Sequence, residues 1–176
     1  MTVHGSLQCP YYVHKAMKRA LAMGDELAVV VQAETGGGFG GKEEYPSVLA
    51  LHASLLALKC RKPVRMIYDR HEDISATTKR HPASMRATIG ANADGTIAGM
   101  VFEGDFNTGA YASWGPTVAN RVPVHASGPY ATPHYRARGR AIHTNGPISG
   151  AFRGFGVPQA TIMQETLYDE LAADGE

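Results

Sequence analysis

A mixed α/β fold is what this 176-residue sequence predicts, and three observations carry the prediction. Apolar residues recur at helical spacing in three runs, after Pro10, after Pro46 and after Pro158. Short Val-rich or β-branched runs stand between the first two. From Ser84 onward the period changes from 3.6 to two, with Asp94-Gly95 placed as a hairpin turn. Helices and strands that alternate first and segregate later point to α/β packing of the mixed α+β kind.

Taken in order, residues 10–22 place Tyr12, Val13, Ala16, Met17 and Ala20 on one helical face, and Gly24 is the stop signal. Residues 27–32 then read as a strand. Pro46 suits the first turn of a helix over residues 47–59, whose Val48, Leu51, Leu55 and Leu58 share a face. Residues 64–68, Val-Arg-Met-Ile-Tyr, read as a second strand ending at Asp69, so that the two strands flank this helix. Met85, Ala87 and Ile89 alternate with polar or small residues, and residues 97–106 form the return strand of the hairpin. Residues 107–133, rich in Gly, Pro, Ser and Asn, read as loop. An arginine-striped strand follows over residues 135–143, and a final helix over 158–171 turns Ile162, Met163, Thr166, Leu167 and Leu171 inward.

With 44% apolar residues the chain can bury a core, which excludes disorder. Seventeen basic residues against sixteen acidic leave a formal net charge of +1, so the footprint of a nucleic-acid binder is absent. Cys9 and Cys60 share no metal-type spacing and are expected to be buried as small apolar groups. The eight histidines form no His-x-x-x-His face and read as surface or packing residues, so no residue is expected to ligate a metal directly. No segment resembles a leader or reaches the length of a bilayer span. A cytoplasmic protein without a membrane partner is expected.

Glycine is the outlier: 20 of 176 residues is about 11%, against a usual level of about 7%. Five glycines fall between Gly36 and Gly41, in Gly36-Gly37-Gly38-Phe39-Gly40-Gly41-Lys42. As a P-loop this run fails at Glu43, where a hydroxyl should meet magnesium. As a dinucleotide fingerprint it fits better, since Gly36, Gly38 and Gly41 follow a strand and Asp69 stands where a ribose-binding acid would. Glu43 and Glu44, however, put two carboxylates where a pyrophosphate needs a bare helix N-terminus. A plain turn is the bland alternative, but five glycines carry a high entropic cost on folding, which favours a loop wrapped closely around a ligand.

A second loop, Ser149-Gly150-Ala151-Phe152-Arg153-Gly154-Phe155-Gly156-Val157-Pro158-Gln159, again alternates glycines with aromatics and feeds the last helix. Arg153 lies between two phenylalanines, a planar cation beside flat apolar faces. Two such loops suggest converging walls of one site.

Gly-Gly-Gly-Phe-Gly-Gly-Lys-Glu at residues 36–43 and Ala-Phe-Arg-Gly-Phe-Gly-x-Pro-Gln at 151–159 resemble the two signature loops of the xanthine dehydrogenase and aldehyde oxidase family. Pro63-Val64-Arg65, Asp69-Arg70-x-Glu72-Asp73, Arg80-His81-Pro82 and the Asp94-Gly95 hairpin agree in order. The resemblance spans nearly the whole chain and is to the molybdopterin-binding large subunit. It implies oxidation of a heteroaromatic ring carbon, or of an aldehyde carbon, with water as the oxygen source. The implied cofactor is molybdenum–molybdopterin, its cytosine dinucleotide form included, with 2Fe-2S and FAD on partner subunits or domains of a hetero-oligomer.

The resemblance also implies roles for individual residues. Gln8, Gly38, Phe39, Gly40 and Arg153 would contact the cofactor, and Phe155 would stack on a flat substrate. Glu43 would hydrogen-bond a purine such as xanthine or hypoxanthine and favour proton movement on the ring, because aldehyde-preferring members tend to lack it. Arg121 would polarise the same substrate from the other end, which makes Glu43 and Arg121 the expected catalytic pair. An aldehyde or a hydroxybenzoyl-CoA is the alternative substrate; carbon monoxide is excluded because residues 151–156 lack a cysteine. The family's general base lies in a Gly-x-Gly-Glu segment that does not follow Gln159 here. Residues 1–176 therefore read as a single partial molybdopterin-binding domain, truncated at the C-terminus and lacking upstream regions, inactive and metal-free when expressed alone. A Rossmann-like nucleotide module and a non-catalytic interaction domain of the same descent are the other two classes.

Overall fold

The computed structural model describes residues 1–174, which form two compact units. Unit 1 comprises Met1–Thr78 together with Ala151–Arg153; unit 2 comprises Lys79–Gly150 and the chain from Gly154 onward.

Unit 1 is built on a βαβ element. Strand β1 (Thr2–Gly5) leads into helix α1 (Pro10–Leu21), which returns the chain to strand β2 (Val29–Gln32), and the two strands pair in parallel. Pro10 opens α1 at a position whose N–H has no intrahelical partner, and Val13 and Met17, one turn apart, are fully buried beneath it. They pack with Leu7, Ala28 and Ala50, the last from helix α2 (Pro46–Cys60). The predicted strand over 27–32 is shortened to Val29–Gln32, because Asp25–Leu27 forms a single 3₁₀ turn.

Two expectations for unit 1 are overturned. Residues 64–68 alternate half-buried Val64, Met66 and Tyr68 with exposed Arg65 and Ile67, as a strand would, yet they join no sheet. Local extension without a partner ladder is not a strand. The strands that flank a helix are instead β1 and β2 around α1. Asp69, read as a strand end, is the N-cap of helix α3 (Arg70–Ala76): its carboxylate accepts from the Glu72 N–H at 2.8 Å, while the Glu72 carboxylate accepts from the Asp69 N–H at 3.0 Å. A reciprocal capping box occupies the acid that the dinucleotide reading needed for a ribose, and no strand precedes it, so that reading falls.

Unit 2 is a three-stranded sheet in the order β3 (Ala83–Ala91), β4 (Ile97–Gly109), β5 (His134–His143). The hairpin β3–β4 is antiparallel as predicted, and β4–β5 is parallel. A parallel return needs a crossover, and the stretch read as loop supplies it: helix α4 (Gly115–His125). Val118, Ala119 and Val122 are buried at helical spacing, and Pro116 suits the first turn. Pro123 inside the helix hid the pattern, since proline removes the N–H that would bond Ala119 O. Strand β5 comes close to that carbonyl at Gly139, where any Cβ would collide with it.

Along β4 the side chains of Met100, Phe102, Phe106 and Thr108 are buried while Val101 and Glu103 are exposed, the alternation of a sheet covered on one face. Gly104 leaves the space that the rings of Phe102 and Phe106 fill. Helix α4 and helix α5 (Val157–Asp174) cover this face through Val122, Ala126 and Ala160, with Met85, Ala87, Met163 and Leu167 around them.

The cysteines depart from expectation: Cys9 is half-buried, and Cys60, the last residue of α2, is exposed. Among the histidines, His81 is buried at 3% exposure. No helix among the described residues is long and apolar enough to cross a membrane.

Candidate functional site

The glycine run of unit 1 is held from both sides. Phe39 has φ +49° and Gly40 φ +95°, so the chain turns through the left-handed region at a bulky residue, a conformation with a steric cost. Gly40 is buried against the second loop: a Cβ there would lie 2.6 Å from the carbonyl carbon and oxygen of Ala151 and 2.8 Å from the Phe152 nitrogen. Only glycine permits two backbones to meet this closely. The contact brings Arg153 over Phe39, with its guanidinium carbon 4.9 Å from the ring centroid, within cation–π range. Phe39 itself remains 65% exposed.

Gln8, between β1 and α1, ties the loop to its polar partner. Its carbonyl oxygen accepts from the Gly40 N–H at 2.9 Å, and its amide nitrogen donates to the Glu43 carboxylate at 3.3 Å. The two neighbours fix the orientation of the amide, because a flip would set donor against donor and acceptor against acceptor. The Gln8 N–H reaches Lys42 O at 2.7 Å, and Lys42 Nζ donates to Ser6 Oγ at 2.8 Å, so both chain segments are pinned in register. At Gly38 a Cβ would lie 2.5 Å from the Gln8 carbonyl oxygen, which makes this position part of the same close packing. Burial pushes the Glu43 carboxyl above the usual carboxylate range. Burial, and then the Glu43 charge, raise the Cys9 thiol, so Cys9 is no thiolate at neutral pH.

In unit 2 the second loop repeats the device. Gly154, Phe155 and Gly156 have φ of +87°, +47° and +100° in succession. A Cβ on Gly156 would meet Val122 Cγ2 at 3.0 Å and Val118 O at 3.1 Å, both on α4. The half-buried Phe155 ring packs edge-on to Trp114 at 6.0 Å, and the Arg121 guanidinium carbon lies 5.8 Å from its centroid. Helix α4 is set for this by Thr108, fully buried, whose hydroxyl donates to Ala112 O at 2.7 Å, and by the Tyr135 hydroxyl, which donates to Pro123 O. Below the loop, Gln159 Nε2 donates to His81 O at 3.2 Å.

The residues singled out in the sequence thus fall into two groups. Gln8, Gly38, Phe39, Gly40, Glu43 and Arg153 gather in unit 1; Arg121 and Phe155 gather in unit 2 with Trp114. Sequence reasoning missed Trp114, whose signal was its place as the residue before Gly115-Pro116, the start of a helix not foreseen.

The unit 1 group fits a large polar cofactor. It offers an exposed aromatic ring, a glycine-walled backbone, and a Gln8 amide whose second N–H makes no bond to a described residue. Among the described residues no group of three or more His, Cys, Asp or Glu is arranged to hold a metal ion.

Comparison with known proteins identifies the family of the chain. The profile of the molybdopterin cofactor-binding domain matches residues 1–175. The nicotinate dehydrogenase large molybdopterin subunit of Eubacterium barkeri is 42% identical over 172 residues, 98% of this chain and 40% of that protein. A probable xanthine dehydrogenase subunit of Bacillus subtilis (strain 168) is 35% identical over 171 residues, 97% of this chain and 23% of that protein. Among solved structures, the aldehyde oxidoreductase of Desulfovibrio gigas superposes with a TM-score of 0.87 at 26% identity, over 99% of this chain and 19% of that one. Quinoline 2-oxidoreductase from Pseudomonas putida 86 gives 0.86 at 26% identity, over 98% and 22%. The chain therefore spans less than half the length of the relatives it matches. It belongs to the molybdopterin cofactor-binding domain family.

Proposed function

We propose that this chain supplies part of the molybdopterin site of a hydroxylase that oxidises a carbon of a nitrogen heteroaromatic ring, a purine such as xanthine or hypoxanthine in the first instance. The observation that carries the reading is Glu43: a carboxyl of raised pKa, hydrogen-bonded to Gln8, which in turn holds the Gly40 amide. When bound, the molybdopterin supplies the two-electron redox chemistry. The Phe39-Gly40 turn and Gln8 present backbone and amide groups to it, and Arg153, stacked on Phe39, adds a fixed cation. A carboxyl whose pKa is raised by burial holds its proton more firmly than an exposed one, which suits a group that binds a ring nitrogen or its N–H and assists proton movement on the ring. In unit 2, Phe155 offers an aromatic face and Arg121 a cation to a flat substrate. The 2Fe-2S and FAD groups that accept the electrons are assigned to companion subunits or domains, in a hetero-oligomer of the cytoplasm.

A nicotinate-type pyridine is the second reading, favoured by the 42% identity with the Eubacterium barkeri subunit. The two are separated in the complete enzyme. Glu43→Gln should lower kcat/KM for the heteroaromatic substrate by about 10- to 100-fold, the loss of one hydrogen bond to a charged partner, with molybdenum content retained. Xanthine, hypoxanthine, nicotinate and an aromatic aldehyde assayed in parallel identify which substrate is affected. Unchanged turnover of all of them removes Glu43 from the site.

A further inference from the structure

The outer face of the unit 2 sheet, opposite α4 and α5, plays no part in the site described above. Its side chains are set by register. Arg86 on β3 stands beside Glu103 on β4, which stands beside Arg138 on β5; one row along, Ser84, Asp105 and Arg140 are aligned, and on the other side Thr88, Val101 and Arg136. The Arg140 guanidinium clamps Asp105 through two bonds of 2.6 and 2.7 Å. Asp105 is thereby neutralised, and its carboxyl is held below the usual range by that arginine. Arg86, Arg136 and Arg138 are exposed and form no ion pair with a described residue. Arg138 also lies within electrostatic reach of Asp105 and Arg140 within that of Glu103, so four guanidinium groups share two carboxylates on this face. The rows enclose a groove of about 290 Å³ lined by Ser84, Arg86, Glu103, Asp105, Arg138 and Arg140.

We propose that this face docks a carboxylate-bearing surface of a companion subunit. Alternate residues on a strand project to one side about 7 Å apart, so Arg136 and Arg138 form a ladder that an extended acidic segment matches at every second residue. All four cations of the face are arginine and none is lysine, the choice of protein interfaces, where a planar fork bonds a carboxylate with two hydrogens. Val101, 48% exposed in the middle strand, gives the patch an apolar centre. A polyphosphate or nucleic acid is disfavoured by Glu103 in the middle of the central strand, which would interrupt a continuous run of phosphates. Two relatives are themselves named as subunits of larger assemblies, so companion polypeptides are the natural source of the acid. The inference rests on the hetero-oligomer proposed above, and not on the substrate or the molybdenum chemistry.

The test uses the complete enzyme purified with its companion subunits. Arg136→Lys with Arg138→Lys keeps the charge and introduces amines that a carbodiimide couples directly to touching carboxylates. Mass spectrometry should then find a linked peptide joining residue 136 or 138 to an aspartate or glutamate of a companion subunit. Arg136→Glu with Arg138→Glu should weaken subunit association at least tenfold at 0.1 M salt, with an unchanged thermal midpoint for the separated large subunit. Links only to Glu103 or Asp105, links only to another part of the same polypeptide, or association unchanged by the charge reversal would each overturn the proposal. So would polyphosphate binding lost in the reversed variant while subunit association persists.

Discussion

In the first loop the left-handed pair Phe39-Gly40 abuts backbone, the Ala151 carbonyl and the Phe152 nitrogen; in the second the similar pair Phe155-Gly156 abuts the Val122 side chain and the Val118 carbonyl. The dihedrals nearly coincide, at φ of +49° and +95° against +47° and +100°. What differs is how far the neighbours can yield. Chain against chain admits no rotamer change, whereas a valine methyl 3.0 Å away can shift by a few tenths of an ångström. Polar partners hold the first loop, Gln8 bridging Gly40 and Glu43; aromatic and helix packing holds the second, through Trp114 and α4.

Substituting each glycine measures that difference most directly. Gly40→Ala should destabilise the protein by roughly 4 kcal/mol or more, the range reached when strain and a backbone collision combine. Gly156→Ala should cost about 2 kcal/mol, mainly for its positive φ. Equal losses in denaturant unfolding would show that dihedral strain alone decides, and the contrast would be gone.

Acid should separate the two regions next. His81, whose carbonyl supports Gln159 at the start of α5, has its pKa held down to about 4, first by burial and then by the Arg80 charge. The folded state therefore keeps His81 neutral where the unfolded chain takes up a proton. Stability should fall as the pH drops from 6.5 toward 4, by up to about 3 kcal/mol, and level off below. Glu43 works in the opposite sense. With its folded pKa raised, the unfolded chain releases the proton first, so stability should fall as the pH rises out of the ordinary carboxylate range. His81→Gln should flatten the acid limb and Glu43→Gln the other; a pH–stability curve that keeps its acid slope in the His81 variant would assign it elsewhere.

The cations make the finest test. Arg153 sits 4.9 Å from the Phe39 centroid and Arg121 5.8 Å from that of Phe155. Arg153→Ala should cost about 1 kcal/mol and Arg121→Ala a few tenths of that. A thermal shift larger for Arg121 would reverse the reading of which loop depends on its cation for stability.

Much of this was legible before any coordinates. The helices at Pro10, Pro46 and Pro158 and the Asp94-Gly95 hairpin rest on periodicity and turn chemistry, which are local properties. Gln8, Gly40 and Glu43, singled out around the first loop, come together as a hydrogen-bonded group with Gly38 packed closely on Gln8 and Phe39 next in the chain, and the glycine excess marks the place. The Asp69-x-x-Glu72 capping box is also legible in the sequence, where Asp69 fits a ribose-binding motif equally well.

What the sequence by itself determined was therefore the mixed α/β class, most of the elements and the family, because residue order carries local propensity and a long ordered set of motifs. Tertiary structure decided the rest. Residues 64–68 have the alternation of a strand and lack a ladder, while Thr2–Gly5 pairs with a strand that starts 27 residues after it. Helix α4 survives an internal proline because the sheet packs against it at Gly139. Strand pairing and helix rescue depend on which distant backbone arrives alongside, and no window of residues contains that information.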